Sequence, residues 1–345
     1  MPMQNIIDVD QFDVRPVENQ LTLSKWYEFG NAQSAKESGL TEAKSQYIVL
    51  FGASVTGTSL VQFIDMLSSE HLTFISLCAF KAHDDLPIGI AIEVCLQHLD
   101  ELSKTAVRQA AQTVGCQGAI LPSLPQLLKP GLLVMDMDST AIEIECIDEI
   151  ARLADVYDEV ASVTAEAMAG KLAFSDSLYK RVAKLKGIEL SLISPLKEDL
   201  PLMAGIKPLC EILKSHDWRL AIASGGFTWF AEALQVRLGL DHVFANTLEI
   251  EDQKLTGRVI GEVVDADKKA QVLESLRSRY DIGAGQTLAI GDGANDLVMM
   301  AAADLGVAVH GKPKVVEQAD AAICDGSLLQ LLYFLTVPMP DGIKS

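Results

Sequence analysis

No stretch of this 345-residue chain approaches the ~18 continuous apolar residues that cross a bilayer. Its first residues, MPMQNIIDVDQFDV, lack the basic and then apolar segments of a secretory leader, so the expected location is cytoplasmic. Basic residues are scarce. There are 28 against 47 acidic ones, and a formal net charge of −19 gives a surface that repels phosphodiester backbones and anionic headgroups. Neither nucleic acid nor membrane is an expected partner, although a bound metal ion or a few placed cations can still hold a small anion in one pocket. Cysteine is sparse and unpatterned: Cys78, Cys95, Cys116, Cys146, Cys210 and Cys324 include no CxxC pair, and they are expected to be reduced, buried thiols. The six histidines offer no HxxxH or HExxH spacing, which leaves zinc chemistry without ligands. Internal repeats and low-complexity tracts are missing as well. With 49% hydrophobic residues, 22% charged residues, 24 Gly and 12 Pro, disordered, collagen-like and disulfide-scaffold classes are excluded.

What remains is a soluble globular protein with room for two or three domains. Residues 1 to about 45 carry no clear periodicity. From Tyr47 onward, YIVLFGAS reads as a buried strand, SLVQFIDMLSSEH as an amphipathic helix and LTFISLCAF as a second strand. IGIAIEVCLQHL suits strand or helix, and LSKTAVRQAAQTVGC has helical spacing. A small α+β domain over 1–125 follows, closed by the proline-rich LPSLPQLLKPG. Beyond it, apolar runs at Leu132–Met135, Leu220–Ala223, Thr287–Ile290 and Gly306–Val309 alternate with helical patterns, as in a parallel α/β sheet. A helical stretch inserted after the first run, at about 143–204, is expected to be a cap. LEIEDQKLTGRVI has the alternation of a hairpin turning at Asp252 and Gln253. These readings place the second domain at 126–335 and a tail at 336–345.

Four strand ends carry chemistry. GLLVMDMDST places Asp136 and Asp138 two apart where a strand ends, so both carboxylates can face the crevice at the carboxyl edge of an open sheet. An acidic turn capping a strand would look the same. LAIASGG ends in Ser224, Gly225 and Gly226 before a helix, a phosphate cradle or a plain turn. DADKKAQVL offers Lys268 or Lys269 to an anion, and LAIGDGANDLVMM ends in glycines with Asp292, Asn295 and Asp296, oxygen ligands for a hard cation. Each is weak alone. Together, in one order over about 160 residues, they are not a coincidence of turns.

This set resembles the haloacid dehalogenase (HAD) phosphatase superfamily, and within it DMDSTAIEIECIDEIA and EAMAGKLAFSDSLYKRV are similar to the phosphoserine phosphatase family over about residues 130–330. The resemblance implies a Rossmann-like HAD sheet with an inserted helical cap. It implies hydrolysis of O-phospho-L-serine to L-serine and phosphate, the last step of L-serine biosynthesis. Asp136 would be the nucleophile, Asp138 the general acid and base, and Lys269, four residues before Leu273, the family lysine. Mg2+ would sit on Asp136, the Asp138 carbonyl and Asp292, with Asp296 orienting its water. Ser224, Gly225, Lys269 and Asn295 would gather phosphoryl oxygens. Glu145 and Arg181 would take the substrate ammonium and carboxylate, with Met168 and Phe174 closing the cap over them. Residues 1–125 are similar to the ACT-like, possibly regulatory domain of bacterial relatives, and a homodimer is compatible with that arrangement. Two other readings stay open: transfer of the phosphoryl group to homoserine, and an amino-acid sensor with an idle core. Cys146, beside Glu145, reads as a small buried thiol.

Overall fold

The computed structural model describes residues 6–8, 11–30, 45–68, 72–96, 101–168 and 171–338. The chain divides into two compact units, 1–127 with 316–345, and 128–315.

In the first unit, strand Ser45–Gly52, helix Gly57–Leu67, strands Thr73–Lys81 and Ile88–Cys95, helix Glu101–Thr113 and strand Cys116–Leu121 follow one another. These four strands pair antiparallel, in the spatial order Thr73–Lys81, Ile88–Cys95, Ser45–Gly52, Cys116–Leu121, and the short strands Trp26–Phe29 and Ile6–Ile7 extend the sheet beyond Thr73–Lys81. This is the split βαβ arrangement, in which two helices cover one face of the sheet. Thr56 starts the first helix with a capping box: its Oγ1 accepts from the Ser59 amide at 3.1 Å while the Ser59 hydroxyl accepts from the Thr56 amide at 2.9 Å. The ambiguous IGIAIEVC is a strand, because Ile90, Ile92 and Val94 share the buried face with Ile48 and Leu50. The helical pattern of 102–116 stops earlier than its spacing suggests. Gly115 adopts φ +73°, a left-handed helix stop, and Cys116 opens a strand that periodicity alone missed.

Residues 316–335, which the apolar pattern places with the second domain, belong to the first unit. Tyr333 stacks on Phe51 at 4.6 Å between ring centroids and meets Phe80 edge-on at 6.2 Å. A Cβ at Gly89 would lie 2.9 Å from the Tyr333 ring, so glycine there makes the approach possible. The expectation of buried thiols holds for Cys78, Cys116, Cys146 and Cys210. It fails for Cys324, which is exposed, and for Cys95, which is half-buried, because each sits where an apolar strand ends.

The second unit holds six strands in the order Lys254–Ile260, His242–Glu251, Arg219–Phe227, Leu132–Met135, Thr287–Gly291, Leu305–Val309. All pair in parallel except the Lys254–Ile260 edge strand. Leu132, Leu133, Val134 and Met135 are completely buried, as expected for a central parallel strand covered on both faces. The edge hairpin turns at Asp252 (φ 49°) and Gln253 (φ 61°), the left-handed pair of a type I′ turn. After the Leu132–Met135 strand the chain leaves the sheet as four helices, Cys146–Leu153, Tyr157–Met168, Phe174–Lys184 and Leu190–Glu198. The bridge between Ile142 and Leu202 closes the neck of this excursion. It is the inserted helical cap, so an α/β fold with a parallel-dominated, Rossmann-like sheet is in place.

Candidate active site

Three parallel strands, ending at Met135, in the Ser224–Phe227 stretch and at Gly291, deliver their following residues to one edge of the sheet. The Asp136 amide donates to the Ile290 carbonyl at 3.0 Å, which continues the ladder one residue past the strand and fixes the carboxylate at the crevice. Asp136 Oδ1 accepts from the Met137 amide at 2.7 Å, and Oδ2 lies 2.9 Å from Lys269 Nζ. Lys269 is fully buried and reaches Asp296 Oδ1 as well, at 2.7 Å. Asp265 sets its direction by capping the helix through the Lys268 amide at 2.9 Å, which turns Lys269 inward and leaves Lys268 paired with Glu262. Of the two adjacent lysines the inner one is therefore Lys269.

Asp296 is also completely buried, and its Oδ2 accepts from the Gly293 amide at 3.0 Å. A Cβ at Gly291 would lie 2.4 Å from that oxygen, so only glycine lets the carboxylate pack against the strand end. Asp136, Asp292 and Asp296 bring one oxygen each within 4.8 Å of the others. Burial, and next the Asp136 charge, pushes Asp292 up to about 6 and Asp296 up to about 7. Three crowded carboxylates facing one ammonium suit a hard divalent cation bound through oxygen. Lys269 and the Gly293 amide engage the Asp296 oxygens, and Lys269 and the Met137 amide engage those of Asp136, which leaves Asp292 the least engaged of the three.

Asp138 lies beside Asp136 at the cavity. Burial, then the charges of Glu145 and Asp136, raises its carboxyl well above the usual range. Its Oδ1 is buried with no hydrogen-bond partner. Ser224 is buried, and its Oγ accepts from the Gly226 amide at 3.0 Å. The Gly225 carbonyl accepts from Asn246 Nδ2 at 2.8 Å, while Asn246 Oδ1 accepts from the Val264 amide at 2.9 Å. This wholly buried asparagine holds the glycine turn in place. Sequence reasoning missed it, and the run FANTLEI carries no signal that would single it out.

The cap supplies the opposite wall. Glu145 precedes the Cys146–Leu153 helix, Phe174 opens the Phe174–Lys184 helix, and Arg181 lies two turns on. The cavity, about 200 Å³, is lined by Asp136, Asp138, Glu145, Arg181, Ser224 and Asp292, and also by Phe174, Gly225 and Asn295. Burial lowers the pKa of the Arg181 guanidinium, against the pull of Asp148, Glu145 and Asp138, and its Nε is buried with no partner. The Phe174 ring sits over Gly225, where a Cβ would meet Cζ at 2.7 Å. Two further residues escaped the sequence reading. Lys312 lines the cavity, and Ser139 donates through Oγ to Glu145 Oε1 at 2.8 Å. Lys269 is not on the cavity wall but beneath it, behind Asp136. The side chain of Met168, at the end of the second cap helix, lies outside the described residues.

Comparison with known proteins places relatives beside this chain. A family model of haloacid dehalogenase-like hydrolases matches residues 131–304. A phosphoserine phosphatase of Vibrio cholerae serotype O1 is 55% identical over 205 residues, 59% of this chain and 62% of the relative, so the match spans less than two thirds of that protein. The unliganded crystal structure of a probable phosphoserine phosphatase from Vibrio cholerae superposes with a TM-score of 0.68 at 41% identity, covering 85% of this chain and 87% of that one. A phospho-aspartyl intermediate analogue of phosphoserine phosphatase superposes at 0.57 with 39% identity, covering 60% of this chain and 100% of that one.

Proposed function

We propose, for a chain that belongs to the haloacid dehalogenase-like hydrolases, that it hydrolyses O-phospho-L-serine to L-serine and phosphate and so closes L-serine biosynthesis. The observation that carries this is the meeting, in one cavity, of the Asp136–Asp138 pair with an anion and a cation on the cap side, the exposed Glu145 and the half-buried Arg181, suited to the two charged groups of an α-amino acid.

Asp136 Oδ attacks phosphorus, and an Asp136 O–P bond forms as the seryl O–P bond breaks. Asp138, whose carboxyl is pushed well above the usual range by burial and then by the Glu145 and Asp136 charges, gives its proton to the departing seryl oxygen. It then takes a proton from the water that attacks the aspartyl phosphate, which releases phosphate and frees Asp136. Lys269 keeps Asp136 aligned and offsets its charge from behind. The Ser224 hydroxyl, the Gly225 amide and the Asn295 side chain receive the phosphoryl oxygens. Glu145 accepts from the substrate ammonium, and Arg181 clamps its carboxylate through a planar fork. Phe174, seated on Gly225, excludes water while the acyl phosphate lives, and Met168 is assigned to the same cover. Asp136, the Asp138 carbonyl and Asp292 would hold Mg2+, with Asp296 orienting water beside it, and the bound ion would supply charge neutralisation between two approaching anions.

The N-terminal unit is read as an ACT-like domain on its βαββαβ order, and a cytoplasmic homodimer is the assembly proposed. Phosphate release from phosphoserine, phosphothreonine and sugar phosphates, with Mg2+ and with chelator, tests the reading. Preference for phosphoserine that chelator abolishes is expected; preference for a sugar phosphate would refute the roles of Glu145 and Arg181. Product analysis with added homoserine separates hydrolysis from phosphoryl transfer, and no release from any substrate would leave the idle sensor.

A further inference from the structure

Ser139 lies between Asp138 and the cap, and neither chemical step uses it. Its backbone has φ +54°, the left-handed region that a serine occupies at some cost. Two contacts hold it there. Its amide donates to the Ile144 carbonyl at 3.2 Å, closing the loop that leads into the cap, and its Oγ donates to Glu145 Oε1 at 2.8 Å. The Glu145 carboxylate has no other protein hydrogen-bond donor among the described residues, and the residue lines the cavity. The residue also precedes its helix without a side-chain capping bond, so the helix does not orient its carboxylate. The one hydroxyl that does orient it stands on a strained backbone directly after Asp138.

We infer that Ser139 is a positioning residue for amine recognition: its hydroxyl occupies Glu145 Oε1 and so presents Oε2 to a substrate ammonium. This rests on the amino-acid reading of the site and deepens it. A carboxylate free to rotate about its last torsion would spread its charge over many orientations. One oxygen tied back leaves the other fixed, which favours a cation in a single place over a neutral or anionic group. The left-handed backbone is what sends the Oγ toward Glu145 rather than into the strand-end turn.

The test is Ser139→Gly, which suits the left-handed backbone and removes the hydroxymethyl group, with Ser139→Ala, which removes only the hydroxyl, as a second variant. Each is assayed on O-phospho-L-serine and on its deamino analogue, 3-phosphonooxypropanoate, beside Glu145→Gln. The reading predicts that both Ser139 variants lower the kcat/KM ratio of phosphoserine over the analogue about tenfold, mainly through the KM of phosphoserine, the size of one lost hydrogen bond to a charged group. Glu145→Gln should lower the same ratio at least as far. If Glu145→Gln collapses the ratio and Ser139→Gly leaves it intact, the inference is overturned while the amino-acid reading stands. A fall in both substrates with an unchanged ratio marks a merely structural serine and overturns it too. Equal use of both substrates by the unaltered protein would instead remove the amino-acid reading itself.

Discussion

Replacing Lys269 with Met should damage stability as well as turnover, and in a pH-dependent way. The ammonium is fully buried and touches Asp136 Oδ2 at 2.9 Å and Asp296 Oδ1 at 2.7 Å. Methionine fills similar space but leaves two buried carboxylates with no counter-charge, a change that costs about 3–5 kcal/mol. For a unit spanning residues 128–315, each kcal/mol corresponds to about 2–4 °C, so the loss should be roughly 6–20 °C in the melting of that unit. The pH dependence has a definite sign. Asp296 already stands at about 7, pushed up by burial and the Asp136 charge and pulled down by Lys269, so the variant raises it further. A carboxyl whose folded pKa exceeds its unfolded value of about 4 stabilises the fold while protonated and loses that contribution as pH rises. The deficit should be large at pH 8 and shrink toward pH 5.5. Scanning calorimetry of both proteins in chelator, where no cation substitutes for the ammonium, reads this directly. A variant that melts within 2 °C of the parent at pH 8, or a deficit that grows on acidification, would refute the charge argument.

Other substitutions probe separate parts of the account. Gly225→Ala would push its Cβ to 2.7 Å from Phe174 Cζ, so steady-state kinetics should show kcat/KM falling roughly tenfold as the ring is driven out, with the melting temperature nearly constant. Arg181→Lys keeps the charge but loses the planar fork, and the KM for phosphoserine should rise about 10- to 100-fold with a smaller change in kcat. Asp241, which accepts from Lys214 at 2.9 Å, Arg219 at 3.1 Å and the Leu220 amide at 2.8 Å, has its pKa held down by these donors against the opposing effect of burial. Its contribution is present above the unfolded pKa and disappears as pH falls through the lower folded value. Asp241→Asn should therefore cost roughly 1–2 kcal/mol in urea unfolding at pH 7 and progressively less as pH falls below the unfolded value of about 4.

Much of this site is visible in the sequence because its parts are tied to strand ends. The central strands are uninterrupted apolar runs, as burial on both faces requires, and the first polar residue after each run falls at the crevice: Asp136 after Met135, Asp292 after Gly291. The inward choice of Lys269 over Lys268 agrees with the Asp265 cap, which is a local signal. Asn246 and Ser139 left no comparable trace. Each acts through a contact the chain creates only when folded, Asn246 across 21 residues to Gly225 and Ser139 through a left-handed backbone that most sequences avoid. The affiliation of 316–335 was hidden for another reason. LLQLLYFL is apolar enough for either core, and it is the flat approach at Gly89 that admits Tyr333 to the first unit.

The central claim is that the phosphoryl group passes through Asp136. Rapid acid quench of the protein with phosphoserine labelled in its phosphate, followed by peptide mapping, addresses it most directly. The account predicts transient, acid-stable label on the peptide containing Asp136, lost in Asp136→Asn. Label on another residue, or turnover with none on the polypeptide at any time, would contradict it.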